Sequence, residues 1–473
     1  MIIKRKTLVL NIMFLSIIMV FSAINMFVNM DYLALIVYFS FLIFIFKTNS
    51  TMLLKYLFMF VMFSYHIISV FVVENNDIYF YNLQTQSYRS GAFIPILLSY
   101  MLYFSVLVLM EENKNSKIIK SGSYREQDIQ KGFRINGLSL NGKKVAKIIS
   151  LFLFVAIVFM LYRLRNSFFY NMGGINRFLY RANTFTALDE KFYTYITWLL
   201  PIPLLGNDKK TKKRAVVFLV VYCIYMIWVG DKFGSLFIAF YIFVLATWVK
   251  GDLDKKSIKK IIVISCIALS ALMFFIAFQV LYERGTWSEV ITYFNNRLTG
   301  GQSDLWWKIY SSDSSNGWRV GEFFKDEVTA IFSVPSNTMD YNFGIYKMMK
   351  VAAPSWVVDN YLSNGIRFAA STQASLFYYF KYTGLYLGSI ILGIFCFILV
   401  NKAINAYKRM DIIRSICYTM LVTKWYQIMA MSDITMLGNT TTILAAIVLA
   451  FLHCYERYNS IRTATSVRIK IKE

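Results

Sequence analysis

What most limits the fold of this chain is a recurring pattern: apolar runs of roughly 15 to 22 residues, most of them flanked on one side by a short stretch rich in lysine or arginine. The first run covers Thr7 to about Val28, behind Lys4-Arg5-Lys6. No small-residue cleavage site follows it, so an uncleaved anchor is expected rather than a signal peptide. Others run from about Tyr32 to Phe46, Tyr56 to Val73, Ala92 to Met110, Ile148 to Tyr162 and Phe192 to Leu205, the last broken by Pro201 and Pro203. A hairpin of two follows, turning at Gly230-Asp-Lys-Phe-Gly-Ser235, and then Ile261 to Leu281, Gly384 to Val400, Ile412 to Met431 and Thr440 to Tyr455. In lipid every backbone N–H and C=O needs a partner within the protein, which makes each such run a helix. The expected fold is all-α, a polytopic membrane helical bundle of about twelve transmembrane helices. Composition agrees, with 57% hydrophobic residues, mean hydropathy +0.50 and five prolines in 473 residues.

The net charge of +24 raises the question of a nucleic-acid partner, and the distribution of charge answers it. Threading the runs through a membrane with the N-terminus inside puts 33 of the 50 Lys and Arg, but only 10 of the 26 Asp and Glu, on the cytoplasmic side. The other side is then nearly neutral. Membrane orientation accounts for the excess, and nucleic acid is excluded. Nine of the inside cations, Lys114 to Lys147, lie in the loop 111–147, read as a topology determinant against anionic lipids or a site for a cytoplasmic partner. All five cysteines, Cys223, Cys266, Cys396, Cys417 and Cys454, lie inside runs, with no disulfide or zinc spacing. His66 and His453 also lie inside runs and read as core residues. No internal repeat of the transporter kind is present, and intramembrane charge is sparse, Lys424 being the clearest case, with Gln427 on its face.

The chain therefore divides into residues 1–281 with nine spans, a long outside segment 282–382, and residues 383–473 with three spans and a basic tail. Within the outside segment, Ser288 is expected to cap a short helix, with Glu289 in its first turn and Val290, Ile291, Phe294 and Leu298 on one face. Gly300-Gly301 stops it. Arg297 would sit in the last turn, beside Gln302, Asp304, Trp306 and Trp307. A cation, an amide, a carboxylate and flat rings are what sugar hydroxyls, sugar faces and phosphate require. The same stretch also reads as an interfacial helix with aromatic anchors. A second outside loop, 163–191, carries Arg163, Arg165, Arg177 and Arg181. Lys232, in the hairpin turn, either snorkels to headgroups or meets a phosphate. A further helix near Tyr341 to Val351 is expected to lie in the headgroup plane.

Three stretches carry a family resemblance. Gly230-Asp-Lys-Phe-Gly-Ser-Leu236 resembles a Gly/Lys turn, and Arg297-Leu-Thr-Gly-Gly-Gln-Ser-Asp-Leu-Trp-Trp307 resembles the signature Arg-Ile-x-x-x-Gln-Gly-Gln-x-Trp-Trp, with Gly300 in place of the first glutamine and one added residue at Ser303-Asp304. Asp340 to Pro354, Asn364-Gly-Ile-Arg-Phe368 and Thr372-Gln-Ala374 resemble a third pattern. Together, over about Lys232 to Gly393, they are similar to the Wzy O-antigen polymerases of enterobacterial type. The resemblance implies a GT-C-like bundle with the long periplasmic loop between spans nine and ten, in the bacterial inner membrane with both termini cytoplasmic. It implies a metal-independent glycosyltransferase of lipopolysaccharide biosynthesis that joins undecaprenyl-diphosphate-linked oligosaccharide units, without a cofactor, alongside membrane lipids and a chain-length regulator of the polysaccharide co-polymerase type. The alternatives are an O-antigen ligase, which usually relies on an outside histidine, and a lipid-linked oligosaccharide flippase.

Such a transfer needs cations to meet the diphosphate leaving group, and arginine pairs two oxygens at once. The candidates are Arg284, Arg163, Arg177, Arg181, Lys232 and Arg367 for the diphosphate, with Arg297 and Gln302 in the catalytic set. A carboxylate has to orient the acceptor hydroxyl because no histidine lies outside: Asp304 first, then Glu322, Glu327 or Asp340. Trp306, Trp307 and Tyr282 offer faces for sugar rings. Arg297→Ala is expected to lower polymerisation far more than protein level; full glycan ladders with alanine there would remove it from the site.

Overall fold

Six helices among the described residues are long and apolar enough to cross a bilayer, and they set the frame. The computed structural model describes residues 5–25, 27–121, 134–135, 138–139, 142–165, 180, 184–205, 209–229, 234–247, eight scattered positions within 263–281, 285–299, 303–312, 317–364, 366–368 and 371–470. In chain order the helices are α1 (Arg5–Ile24), α2 (Asp31–Thr48), the short α3 (Ser50–Lys55), α4 (Leu57–Glu74), α5 (Phe93–Ser121), α6 (Gly142–Arg165), α7 (Ala187–Leu199), α8 (Lys209–Trp228) and α9 (Gly234–Ala246). After them come α10 (Trp287–Thr299), α11 (Asp304–Ser312), α12 (Val320–Phe323), a π-helical turn (Phe324–Val328) and α13 (Thr329–Phe332). The chain then forms α14 (Gly344–Ala352), α15 (Ser355–Ser363), α16 (Thr372–Lys408), α17 (Ile412–Met431) and α18 (Thr440–Lys470). The six apolar candidates are α1, α2, α4, α6 and the apolar parts of α5 and α16. The expected ninth run lies for the most part outside the described residues.

Local chemistry explains several boundaries. Asp31 opens α2 and Lys47 closes it, each matching the helix dipole. Between α4 and α5 a two-stranded hairpin pairs β1 (Tyr79–Phe80) with β2 (Thr85–Gln86). The Glu74 carboxylate then receives the backbone N–H groups of Ser90 (3.0 Å) and Gly91 (2.6 Å), tying the end of α4 to the turn before α5. Thr186 and Asp189 form a capping box on α7, and Pro201 stops the chain continuing as an α-helix, leaving a 3-10 turn at Ile202–Leu205. The span expected at 192–205 is thus a 13-residue helix and a separate turn.

The core runs along α4, α5 and α16. Phe60 stacks on Phe104 and Phe63 on Tyr100, and small residues let α5 and α16 approach: Ser99 Oγ meets Ser389 Oγ at 2.9 Å, and a Cβ on Gly393 would lie 3.1 Å from the Tyr103 carbonyl. A second cluster joins α6, α7, α8 and part of α9 around Tyr222 and Met226, linked to the first where the Trp198 indole donates to Thr423 of α17 (3.0 Å).

Two polar ends cap the frame. At one, buried Glu111 takes Lys55 Nζ (2.8 Å), the Tyr56 hydroxyl (2.8 Å) and the Asn401 amide (2.9 Å). At the other, Trp306 and Trp307 of α11 anchor a layer built from α11 to α15. The Lys55 and tryptophan ends lie at opposite termini of α4, α5 and α16, a distance of roughly 30 Å for about 20 helical residues.

α16 is two helical arms joined at Lys381 (φ 56°, ψ −147°). The shorter arm, up to Phe380, belongs to the tryptophan-end layer, and the break falls where the sequence divides the outside segment from the tenth span. The fold-back brings Leu376 and Phe380 onto Gly384 and Gly388. A Cβ on Gly384 would sit 2.3 Å from Phe380 Cβ and 2.7 Å from the Leu376 carbonyl. Gly384→Ala is therefore expected to cost about 1–3 kcal/mol, read as a lower melting temperature in detergent. Gly321→Ala, where nothing lies within 4 Å, should show no such loss.

Candidate functional site

The π-helical turn Phe324–Val328 is where the tryptophan-end layer departs from regular structure. One extra residue per turn re-aims side chains, and such turns are frequent at functional sites. Here it accompanies the burial of two neighbouring carboxylates, Asp326 and Glu327. Asp326 pairs with Lys347 Nζ (2.9 Å) and accepts from Asn342 (2.8 Å). Glu327 Oε1 accepts from the Gly344 backbone N–H (2.7 Å) and from the Tyr379 hydroxyl (3.0 Å) of the shorter α16 arm.

Among the described residues no cation is bonded to Glu327. Its burial pushes its carboxyl up to about 7; the Gly344 and Tyr379 hydrogen bonds oppose that, and the charges of Asp326 and Asp433 add to it. A carboxyl poised near neutrality beside a phenol suits general acid–base work. Around it, the Tyr378 hydroxyl donates to Glu322 (3.0 Å), and the Arg319 guanidinium lies 4.1 Å over the Tyr378 ring. Arg367 lies 5.6 Å over the Tyr346 ring, whose hydroxyl also feels Asp433.

Two glycines hold this arrangement. Gly344 has φ +49°, and a Cβ there would come 2.2 Å from the Ser432 carbonyl; one on Gly438 would come 1.7 Å from the Ile331 carbonyl. The turn after α17 is thereby pressed against both α14 and α13. Ser432, itself left-handed, donates to Ser375 Oγ (2.6 Å), and Thr372 donates to the Ile428 carbonyl (2.7 Å).

The residues expected from sequence fall into four groups. Glu327 and Arg367 lie in this cluster. Asp304, Trp306 and Trp307 are elsewhere, in the interior. Both indoles are 0% exposed, their N–H groups donating to the carbonyls of Ala92 and Tyr88 at 3.0 Å each. This corrects their expected role as faces for sugar rings, because fully buried rings, Trp307 against Phe80 and Tyr88 and Trp306 against Phe377, have none to offer. Asp304 is enclosed with them, its Oδ1 accepting from the Leu305 N–H (2.8 Å), and burial pushes it up to about 7. Arg163, expected at the diphosphate, donates to the Thr184 carbonyl (2.6 Å) and pairs with Asp189 (3.3 Å), which fastens the end of α6 to the cap of α7. Gln302, Arg284, Arg177, Arg181, Lys232 and Tyr282 lie outside the described residues, as does the side chain of Arg297; its backbone is in α10 as expected.

Two further expectations change. Thr286, not Ser288, is the side chain at the start of α10, 3.4 Å from the Glu289 N–H. The helix expected at Tyr341 to Val351 exists as α14, but Ile345, Met348 and Met349 are buried and Lys347 is paired with Asp326, so it is a packed element of the layer. Sequence reading did not single out Tyr378, Tyr379, Arg319 or Asp433. The adjacent pairs Asp326-Glu327 and Tyr378-Tyr379 were the available signal. Among the described residues no group of three His, Cys, Asp or Glu side chains converges as a metal site would require.

A carboxyl raised by burial binds its proton more tightly in the folded protein, so its contribution to stability is complete below pH 4.5 and is lost as pH rises through about 7. Glu327→Gln keeps the shape and removes that titration. Melting temperatures in detergent from pH 4 to 8 should fall less steeply for the variant; parallel curves would show that Glu327 does not titrate in this window.

Residues 338–446, less than a quarter of the chain, match a family model described as a family of unknown function, DUF6418. No curated protein and no solved structure matches. The matched stretch contains Gly344, Arg367, Tyr378, Tyr379 and Asp433 and stops short of Glu327, so it takes in one wall of the cluster around the π-turn.

Proposed function

We propose that the chain is a membrane-embedded glycosyltransferase that joins lipid-linked oligosaccharide units, as the Wzy-type polymerases it resembles do. The tryptophan end then faces the periplasm and the Lys55 end the cytoplasm. About twelve spans cross the bacterial inner membrane, with both termini inside. The observation that carries this reading is Glu327: a buried carboxyl poised near neutral pH, bonded to a tyrosine, on the face where the charge pattern places the outside.

In this reading Glu327 accepts the proton of the incoming sugar hydroxyl as that oxygen attacks the anomeric carbon, and the Tyr379 hydroxyl orients the carboxylate. The bond from anomeric carbon to phosphate breaks, and the lipid diphosphate leaves with its electron pair. Cations stabilise it without a metal. Arg367 is the described candidate, and Arg177, Arg181, Arg284 and Arg297 are the others. A ligase or a flippase would share the bundle, but a flippase gives no use to a proton-accepting carboxylate in the outer layer.

The test is the glycan of a deletion strain complemented with variants. Loss of the gene should leave single repeat units on the lipid core, and wild type should restore the ladder. Glu327→Gln should leave it at least tenfold weaker at equal protein level. No repeat unit at all in the deletion strain would point to a ligase or flippase, and a full ladder with Glu327→Gln would take Glu327 out of the chemistry.

A further inference from the structure

The segment from Trp318 to Val334 keeps Glu322 and Lys325 outward, but around its π-turn it is built inside out. Its two acidic neighbours Asp326 and Glu327 are 7% and 3% exposed, while Phe332 is 85%, Trp318 60% and Phe324 58% exposed, with Val320 and Val334 also outward. A segment in contact with water arranges these side chains the other way round, carboxylates out and rings in. One in contact with lipid has no such preference, and its apolar side chains cost nothing to expose.

The depth of the segment supports the same reading. The Arg319 backbone N–H donates to the Tyr379 carbonyl (2.7 Å), its guanidinium to the Tyr378 carbonyl (2.8 Å), and the Trp318 ring meets that of Phe380. These partners immediately precede Lys381, where α16 turns into its apolar arm. From there Tyr382, Leu387, Ile391 and Phe395 are all exposed, the last three at intervals of four. That stripe lies on one face of a span-length apolar helix and is lipid-facing in a membrane. The outward Trp318 ring meets Phe380, two residues before the stripe starts, and Phe324 follows Phe323, whose ring packs on Tyr379 and Phe380.

We infer that the segment Trp318–Val334 is embedded in the bilayer boundary at the tryptophan end, with Phe324 and Phe332 among phospholipid acyl chains, Trp318 at headgroup depth and Lys325 reaching back to the phosphates. The occupant of this surface is bulk phospholipid, because the apolar exposure continues that of a lipid-facing helix. Glu327 is then shielded from water on one flank by the membrane itself. The inference stands on exposure and position and holds whether or not the transfer reaction proposed above is the activity.

The test uses the full chain in native membranes. Phe332, and separately Phe324, is replaced by the photo-reactive p-benzoyl-phenylalanine; Tyr81, exposed on the hairpin turn near the polar residues Asn75, Asn76 and Asp77, serves as the control position. After irradiation, the purified proteins are weighed intact. The expected result is a covalent adduct of host phospholipid mass at 332 or 324 and none at 81. Adducts only to another protein, adducts only to a polyisoprenoid lipid, equal labelling at 81, or no adduct at either ring position would each overturn the inference.

Discussion

Two indoles fasten the layer built from α11 to α15 to the helical bundle. Trp306 and Trp307 are consecutive in α11, yet both are fully enclosed, one donating to Ala92 at the start of α5 and the other to Tyr88 just before it. An aromatic side chain of this size buries about 150–250 Å², which at about 25 cal/mol per Å² is on the order of 4–6 kcal/mol each as an upper bound. The hydrogen bonds add direction to that adhesion, since a buried indole N–H left without an acceptor would cost about 1–3 kcal/mol. With α11 fixed, α14 packs on it, and α14 supplies both Lys347 for Asp326 and Gly344 for Glu327.

The second dependence runs through α16. Because its backbone breaks at Lys381, one helix contributes both the exposed apolar stripe beginning at Tyr382 and the two tyrosines that meet Glu322 and Glu327. A straight helix would carry Tyr378 and Tyr379 onward along the bundle axis, away from the layer. The glycines at 384 and 388 are the local condition for the fold-back, and Gly344 and Gly438 are the condition for closing the turn after α17 onto the carboxylates. Four positions without a side chain therefore decide whether Glu327 has its surroundings. The cluster is made of contacts between segments up to about a hundred residues apart, and their common feature is close backbone approach.

The sequence by itself determined that this is a helical chain with several segments long and apolar enough to cross a membrane, because a backbone in lipid has no alternative to internal hydrogen bonding and apolar runs of sufficient length are visible without any tertiary information. It also named Glu327 and Arg367 among the candidates and predicted helices where α10 and α14 stand, since acidic, basic and apolar spacing is local. Only the tertiary structure decided which candidates face one another. Trp306 and Trp307 read as a sugar platform because flat rings beside glycines have the same spacing whether they are exposed or buried. Burial depends on Phe80, Tyr88 and Phe377, which are distant in the chain. Both Asp304 and Glu327 are acidic residues of the outside segment, and the motif ranked Asp304 first. Their environments differ because one is enclosed with the indoles and the other is held between a backbone N–H and a phenol by a π-turn, and neither the extra residue of that turn nor the break at Lys381 is encoded by a short-range pattern.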